Sequence, residues 1–476
     1  KVSDIGKCSS KLHKLIKNLN GKGSNNNNNQ AIRFKGRYLS SAADISDAFN
    51  QQFSSVVKHQ SSKNSRVVAK NIKKNKLDNP ISFDHLETMK TIRSCKSSKA
   101  AGPDNITNLH LKHLGINGIK YLTKIFNLSI STSTIPDIWK QSTIIPLLKP
   151  NKPSNESESH RPVALLCPAV KIQERLLLPY LTESLDIPVF QHGFRKEHST
   201  ISALSDFNQV TNGFNEKLST KPDRTVLLQI DLSKAFDMVN HDKLIKDLDE
   251  SALPPSLKRW FSCYLRGRQS KVNFRNHLSK GRNVRVGVPQ GAVTSPILFN
   301  FYLRNLPRPP DNVQVIQYAD DISIYATGKP IHGLTNAINF YIPSVLAFLE
   351  ERELKVSPTK STVTLFTPDK KEAKIQPEVK MHGNLIPFEP TPKLLGVTFD
   401  TMYTFSRHIK LTTDKVKTKI NIMKALAGST WGQDLEILSL TYKSIGRNIM
   451  EYAAPVWRPI ISSSSWKLLQ TTQNQA

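Results

Sequence analysis

The stretch "QVIQYADDISIYATG", residues 314–328, constrains the fold more than any other part of this chain. Runs of apolar and β-branched residues flank the adjacent carboxylates Asp320 and Asp321. This pattern predicts strand, tight turn, strand, which puts the acidic pair at the tip of a buried hairpin. A second apolar strand, "TVLLQID" (225–231), ends on Asp231. An antiparallel sheet can bring the three carboxylates together, and their repulsion then calls for a cation between them. Magnesium takes hard oxygen ligands and binds through one or two carboxylates plus substrate phosphates. Two such ions, about 3.5–4 Å apart, would activate an attacking hydroxyl and stabilise the leaving oxygens of a phosphoryl transfer. An Asp-Asp pair alone is more often a solvated turn. Its neighbours must therefore decide.

Charge narrows the partners. The 67 lysines and arginines outnumber the 38 acidic residues, giving a net charge of +29, and a polyanion such as nucleic acid is the first candidate. From Lys258 to Arg285 there are nine lysines and arginines and no acidic residue, interleaved with Trp260, Phe261, Tyr264 and Phe274. Trp260 and Phe261 have the spacing of a buried helix face, so they are expected in the core rather than stacked on a base. The four cysteines, at 8, 95, 167 and 263, show neither zinc nor disulfide spacing, which predicts reduced thiols in an intracellular protein. No apolar run approaches the roughly 18 residues of a membrane span. No charged-then-apolar leader opens the chain, so neither membrane insertion nor secretion is expected. The chain begins at Lys1 rather than Met, and a piece of a longer protein is expected.

A chain of 476 residues is long for one core, and two to four lobes are expected. Residues 1–80 are polar and basic, with a run of asparagines at 25–29 and one amphipathic helix in "SSAADISDAFNQQFSSV". They read as a linker with some helix. Gly102-Pro103-Asp104 marks a turn between two helical segments. "STISALSDFNQVTNGFNEKL" carries Ile201, Leu204, Phe207, Phe214 and Leu218 at helical spacing. Helices on one side of a largely antiparallel sheet make an α+β fold.

Four motifs then follow in a fixed order: "QIDLSKAFDMVNHDKL", "VGVPQGAVTSPILFNFYL", "YADD" and "LLGVTFD". In that order they resemble the palm motifs of reverse transcriptases. With "SKAAGPDNI", "SESHRPVALLCPAVKIQERLL", "QHGFRKEHSTISAL" and "YKSIGRNIMEYAAPVW" added, the chain resembles the polymerase of non-LTR retrotransposons of the jockey-like group, from about residue 28 to about 460. The resemblance implies a right-hand polymerase: a basic N-terminal extension (1–80), fingers (81–224), a palm with an antiparallel sheet and a primer-grip hairpin (225–400), and a helical thumb (401–476) that need not be complete. It implies an RNA-directed DNA polymerase that adds deoxynucleoside triphosphates to a DNA primer 3′-hydroxyl on an RNA template. Two magnesium ions would be its cofactors, with manganese able to substitute. It also implies an endonuclease on the upstream part of the full-length protein, assembly with RNA in the cytoplasm, and action in the nucleus at integration.

Residue by residue, Asp231 and Asp320 match the metal-binding aspartates, and Asp321, expected with them as a catalytic and metal residue, matches their neighbour, more often supportive than a direct ligand of both ions. Phe236 resembles the steric gate against a ribose 2′-hydroxyl, although a hydrophobic residue after a strand could equally be core. Gln290 and Gly291 match the segment under the incoming nucleotide, where a glycine lets backbone approach a ligand closely. Arg161, Arg195, Lys171 and Arg175 fall in motifs that resemble the nucleotide-binding fingers strands, and an arginine fork suits phosphate oxygens. Lys360, in "LKVSPTKSTVTLF", matches a lysine near the departing pyrophosphate, with Ser357 where relatives usually carry Asn. Tyr318 matches an aromatic near the primer end. Leu395 and Gly396 belong to the primer-grip hairpin, with Leu394 in place of a common tyrosine. Ser295-Pro296 replaces a frequent Gly-Pro.

Two other classes compete. An RNA-dependent RNA polymerase would carry an acidic or small polar residue at Phe236 and Gly-Asp-Asp in place of the tip at Tyr318 to Asp321. An inactive relic or a co-opted nucleic-acid-binding protein would have no reason to keep Asp231, Asp320, Asp321, Gln290 and Phe236 together.

Overall fold

"RTVLLQI" forms an inner strand, Arg224–Ile230, of a four-stranded sheet in the computed structural model of the chain, which describes residues 31–54, 81–97, 100–150, 152–211, 223–427 and 432–476. The sheet order is Val313–Tyr318, Asp321–Gly328, Arg224–Ile230, Thr362–Phe366, and every pairing is antiparallel. The first two strands are the hairpin expected from the apolar, β-branched runs on either side of the acidic pair. Because successive side chains point to opposite faces, Val226, Leu228, Ile230, Ile322 and Ile324 enter one core while Leu227, Ile316, Tyr325 and Phe366 enter another.

Both faces of the sheet are therefore covered, not one. The helix Ile331–Glu351 packs on the first face, and the helix Thr200–Thr211 lies along the hairpin on the second. The reason lies in the sequence: "TVLLQI" is apolar at consecutive positions rather than at alternate ones, which is what a strand buried on both sides requires. Within Thr200–Thr211, Leu204 and Phe207 are buried but Ile201 is exposed. Phe214 and Leu218 lie outside the described residues.

A second, mixed sheet stands beside the first. Gln141–Leu148 pairs antiparallel with His160–Leu165 and parallel with Arg268–Phe274, which pairs in turn with two short strands at 277–278 and 282–284. Residues 31–54, expected as linker with some helix, instead dock on this sheet as a hairpin and the helix Ala42–Ser54. Ile32, Ile45 and Phe49 pack around Val272, and the Asn50 amide donates to the Ser270 carbonyl. Trp260 and Phe261 are fully buried, as their spacing predicts, and the Trp260 indole donates to Ser129 Oγ at 3.0 Å. Cys95, Cys167 and Cys263 are free thiols. Among the described residues no helix is long and apolar enough to cross a membrane.

Candidate active site

Strand register gathers the carboxylates. Ile322 pairs with Ile230 at the end of the ladder, so one step further Asp321 faces Asp231 across the sheet. Asp320 occupies the tip of the two-residue turn, next to Ala319, whose φ of +57° lies in the left-handed region. That conformation costs a residue with a Cβ about 1 kcal/mol. Asp231 is held through its backbone: its N–H donates to Ser361 Oγ at 3.1 Å and its carbonyl accepts from Ser357 N–H at 2.9 Å. The turn at 357–361 thus fixes the end of the strand that carries it.

The electrostatics follow from this crowding. Burial pushes the Asp320 carboxyl up; Arg161 pulls it back and the charge of Asp231 raises it. Asp321 is exposed at the tip but is still pushed up to about 6, by desolvation first and then by Asp320 and Asp231. Among the described residues no group of three or more His, Cys, Asp or Glu side chains forms a cage that could hold a metal ion by itself. The donor set that opens on the cleft, Asp231 and Asp320, fits an ion of the magnesium kind, which takes one or two carboxylates and completes its shell with water and substrate phosphates.

The cleft itself measures about 1050 Å³ and is lined by Asp231, Asp320, Phe236, Gln290, Gly291, Arg161 and Lys360 among the expected residues. Its cations come from separate segments: Lys149 after the Gln141–Leu148 strand, Arg161 on the partner strand, Lys234 after the central strand, and Lys360. The Lys149 amine is pushed down, by burial first and then by the like charges of Lys360, Arg161 and Lys234. Four cations that repel one another opposite repelling carboxylates leave room for a polyanion bridged to a cation.

The cleft floor is built on contacts. The Phe236 ring stacks on Phe299 at 4.4 Å and meets Phe194 edge-on, so one side of it is core while the other lines the cleft. Gln290 Nε2–H donates to Asp237 Oδ1 at 2.8 Å. Burial pushes that carboxyl up to about 6, against the pull of Gln290 and of Lys234. Gly291, at φ +144°, needs the absence of a Cβ: one there would lie 2.3 Å from the Ala164 carbonyl oxygen.

Other expected residues lie elsewhere. Arg195 does not line the cleft; its Nη1 donates to the carbonyls of Pro188 at 2.7 Å and Gln191 at 3.1 Å. Lys171 and Arg175, on the helix Pro168–Ser184, are also outside it, half-buried and exposed respectively. Tyr318 and Leu395 pack against the second core, and the Tyr452 hydroxyl donates to the Leu395 carbonyl at 2.6 Å. Gly396, at φ +90°, has that tyrosine ring 3.1 Å from the place of a Cβ. Sequence reasoning missed Lys149, Lys234, Asp237 and Ser361. Only Lys149, a lone lysine ending the apolar run "TIIPLLK", carried a readable signal.

Carboxylates gathered on an antiparallel sheet and facing a cationic wall across an open cleft define a site suited to nucleotidyl transfer. The family model described as reverse transcriptase (RNA-dependent DNA polymerase) matches residues 148–399, and the chain belongs to this family. It is 29% identical over 402 residues to the probable RNA-directed DNA polymerase from transposon BS of Drosophila melanogaster, covering 82% of this chain and 44% of that protein. It is 28% identical over 409 residues to the corresponding protein of transposon X-element from the same organism, covering 84% of this chain and 44% of the relative. With the RNA-directed DNA polymerase from mobile element jockey, also of Drosophila melanogaster, identity is 29% over 390 residues, covering 79% and 42%. The chain spans less than half the length of these curated relatives.

Proposed function

We propose that this chain is the RNA-directed DNA polymerase of a non-LTR retrotransposon, extending a DNA primer 3′-hydroxyl with deoxynucleoside triphosphates on an RNA template. The observation that carries the reading is the register that sets Asp231 opposite Asp321, with Asp320 at the turn opening on the cationic cleft. The right-hand division into fingers (81–224), palm (225–400) and thumb (401–476) belongs to the same proposal.

In this reading Asp231 and Asp320 hold magnesium, with Asp321 as support. Bound there, magnesium would polarise the phosphate and lower the pKa of the primer hydroxyl. Lys149, Arg161 and Lys234 hold triphosphate oxygens, where charge-assisted hydrogen bonds are strongest. Lys360 stands where it can give a proton to the departing pyrophosphate. Phe236, braced by Phe299, presents a flat ring to the sugar and leaves no room for a 2′-hydroxyl. Gln290, oriented by Asp237, supports the incoming nucleotide, while Tyr318, Leu395 and Gly396 border the primer. Cytoplasmic assembly with RNA, nuclear action at integration, and an endonuclease on the remainder of a longer protein complete the proposal.

The experiment is extension of oligo(dT) on poly(rA) by the purified chain with dTTP and magnesium. Template-dependent extension is expected; its absence in a folded sample would overturn the reading.

A further inference from the structure

We infer that Gln191 is a positioning residue for the catalytic turn, acting through the backbone of Ala319; the inference rests on the polymerase reading of Asp320. The hairpin strand Val313–Tyr318 is the edge of its sheet, and the loop 188–195 docks along that edge. Gln317 N–H donates to the Phe190 carbonyl and His192 N–H to the Gln317 carbonyl, both at 2.8 Å. Between them Gln191 is 1% exposed. Its Oε1 accepts from Ala319 N–H at 2.9 Å and from Gly193 N–H at 2.8 Å, and its Nε2 lies 3.4 Å from the Ala319 carbonyl.

Ala319 immediately precedes Asp320 and holds a φ of +57°. A left-handed residue with a Cβ persists only where its surroundings over-determine it. The Gln191 oxygen does this by fixing the peptide N–H whose direction sets that φ. Relaxing the turn would swing Asp320 away from Asp231 without unfolding the sheet.

The rest of the loop serves the same contact. A Cβ on Gly193 would lie 2.4 Å from Ala319 N, so any side chain there would push the turn away. Asn300 Nδ2–H donates to the Gly193 carbonyl at 2.6 Å, and Arg195 braces the carbonyls of Pro188 and Gln191. Gln191, Gly193 and Arg195 of "QHGFR" thus share one local contact network.

The test uses Gln191→Met, which removes both amide atoms at similar volume, and Gly193→Ala in the full chain. Primer extension on poly(rA)/oligo(dT) should lose about 10- to 100-fold in kcat with the dTTP KM within about twofold, because the reacting groups are misplaced rather than the nucleotide released. The magnesium concentration for half-maximal rate should rise. Independently of activity, hydrogen exchange at the Ala319 amide should accelerate by about tenfold or more. Wild-type exchange at Ala319, an unchanged kcat, or a loss confined to KM would overturn the inference. Should Gln191→Met not fold, Gly193→Ala decides by the same readings. If the wild type extends no primer, the polymerase reading fails, while exchange at Ala319 still tests the clamp.

Discussion

The two sides of the cleft are built by different means. The carboxylate side rests on backbone: Asp231 and Asp321 end adjacent strands of a sheet buried on both faces, and the residues around them are held by register and by turn hydrogen bonds. The cationic side rests on side chains: Arg161, Lys234 and Lys360 are exposed, on a strand edge or in turns, with long flexible stems. One side fixes charge in place and the other lets charge follow its ligand. On the proposed reading, a site that must hold reacting atoms rigidly and still admit and release a triphosphate benefits from this division.

That contrast can be broken most severely from the carboxylate side. Asp231→Asn should lower single-turnover incorporation about 10³-fold, as expected for loss of one preorganised charged group, with little change in template–primer affinity by fluorescence anisotropy. A loss below tenfold would show that the sheet is not what positions the chemistry. On the cationic side, Arg161→Ala should cost about 10- to 100-fold in kcat/KM, the size of a charge-assisted hydrogen bond, and mainly through dTTP KM in steady-state assays. Phe236→Val should raise ribonucleotide incorporation several-fold while leaving deoxynucleotide rates within about threefold, since a smaller side chain removes bulk rather than charge. Unchanged sugar selectivity would return Phe236 to the core alone.

The smallest effect lies outside the cleft lining. His241 is buried and donates Nε2–H to the Gly287 carbonyl at 2.8 Å; burial pulls its pKa down to about 4. The folded form thus favours the neutral ring, so the unfolded chain takes up the proton first as pH falls below about 6.5. Stability is complete above that value and is lost as pH falls toward 4, by about 1 kcal/mol at pH 5.5. Urea unfolding at pH 7 and 5.5 should show a shallower pH slope in His241→Gln than in the wild type.

Regular backbone made the carboxylate side legible. "TVLLQID" and "VIQYADDISIY" announce strands by pattern, and their ends fall where the aspartates are. The cationic side was legible only in part, because Lys149, Lys234 and Lys360 meet through contacts between segments far apart in the chain. Arg195 shows the limit: its motif gives no sign that its Nη1 donates to its own loop's carbonyls. Gly291 shows another, since a glycine that permits close approach does not say what approaches it. The docking of residues 31–54 on the second sheet was hidden for the same reason: the helix was readable from its pattern, while its partner Val272 was not.

The most direct measurement is dTTP incorporation on poly(rA)/oligo(dT) with magnesium, wild type beside Asp320→Asn, at matched template–primer occupancy. The expected result is robust extension by the wild type and near-complete loss in the variant, with both folded and both bound to the duplex. Equal extension by the two would contradict the assignment of this hairpin as the centre of the reaction.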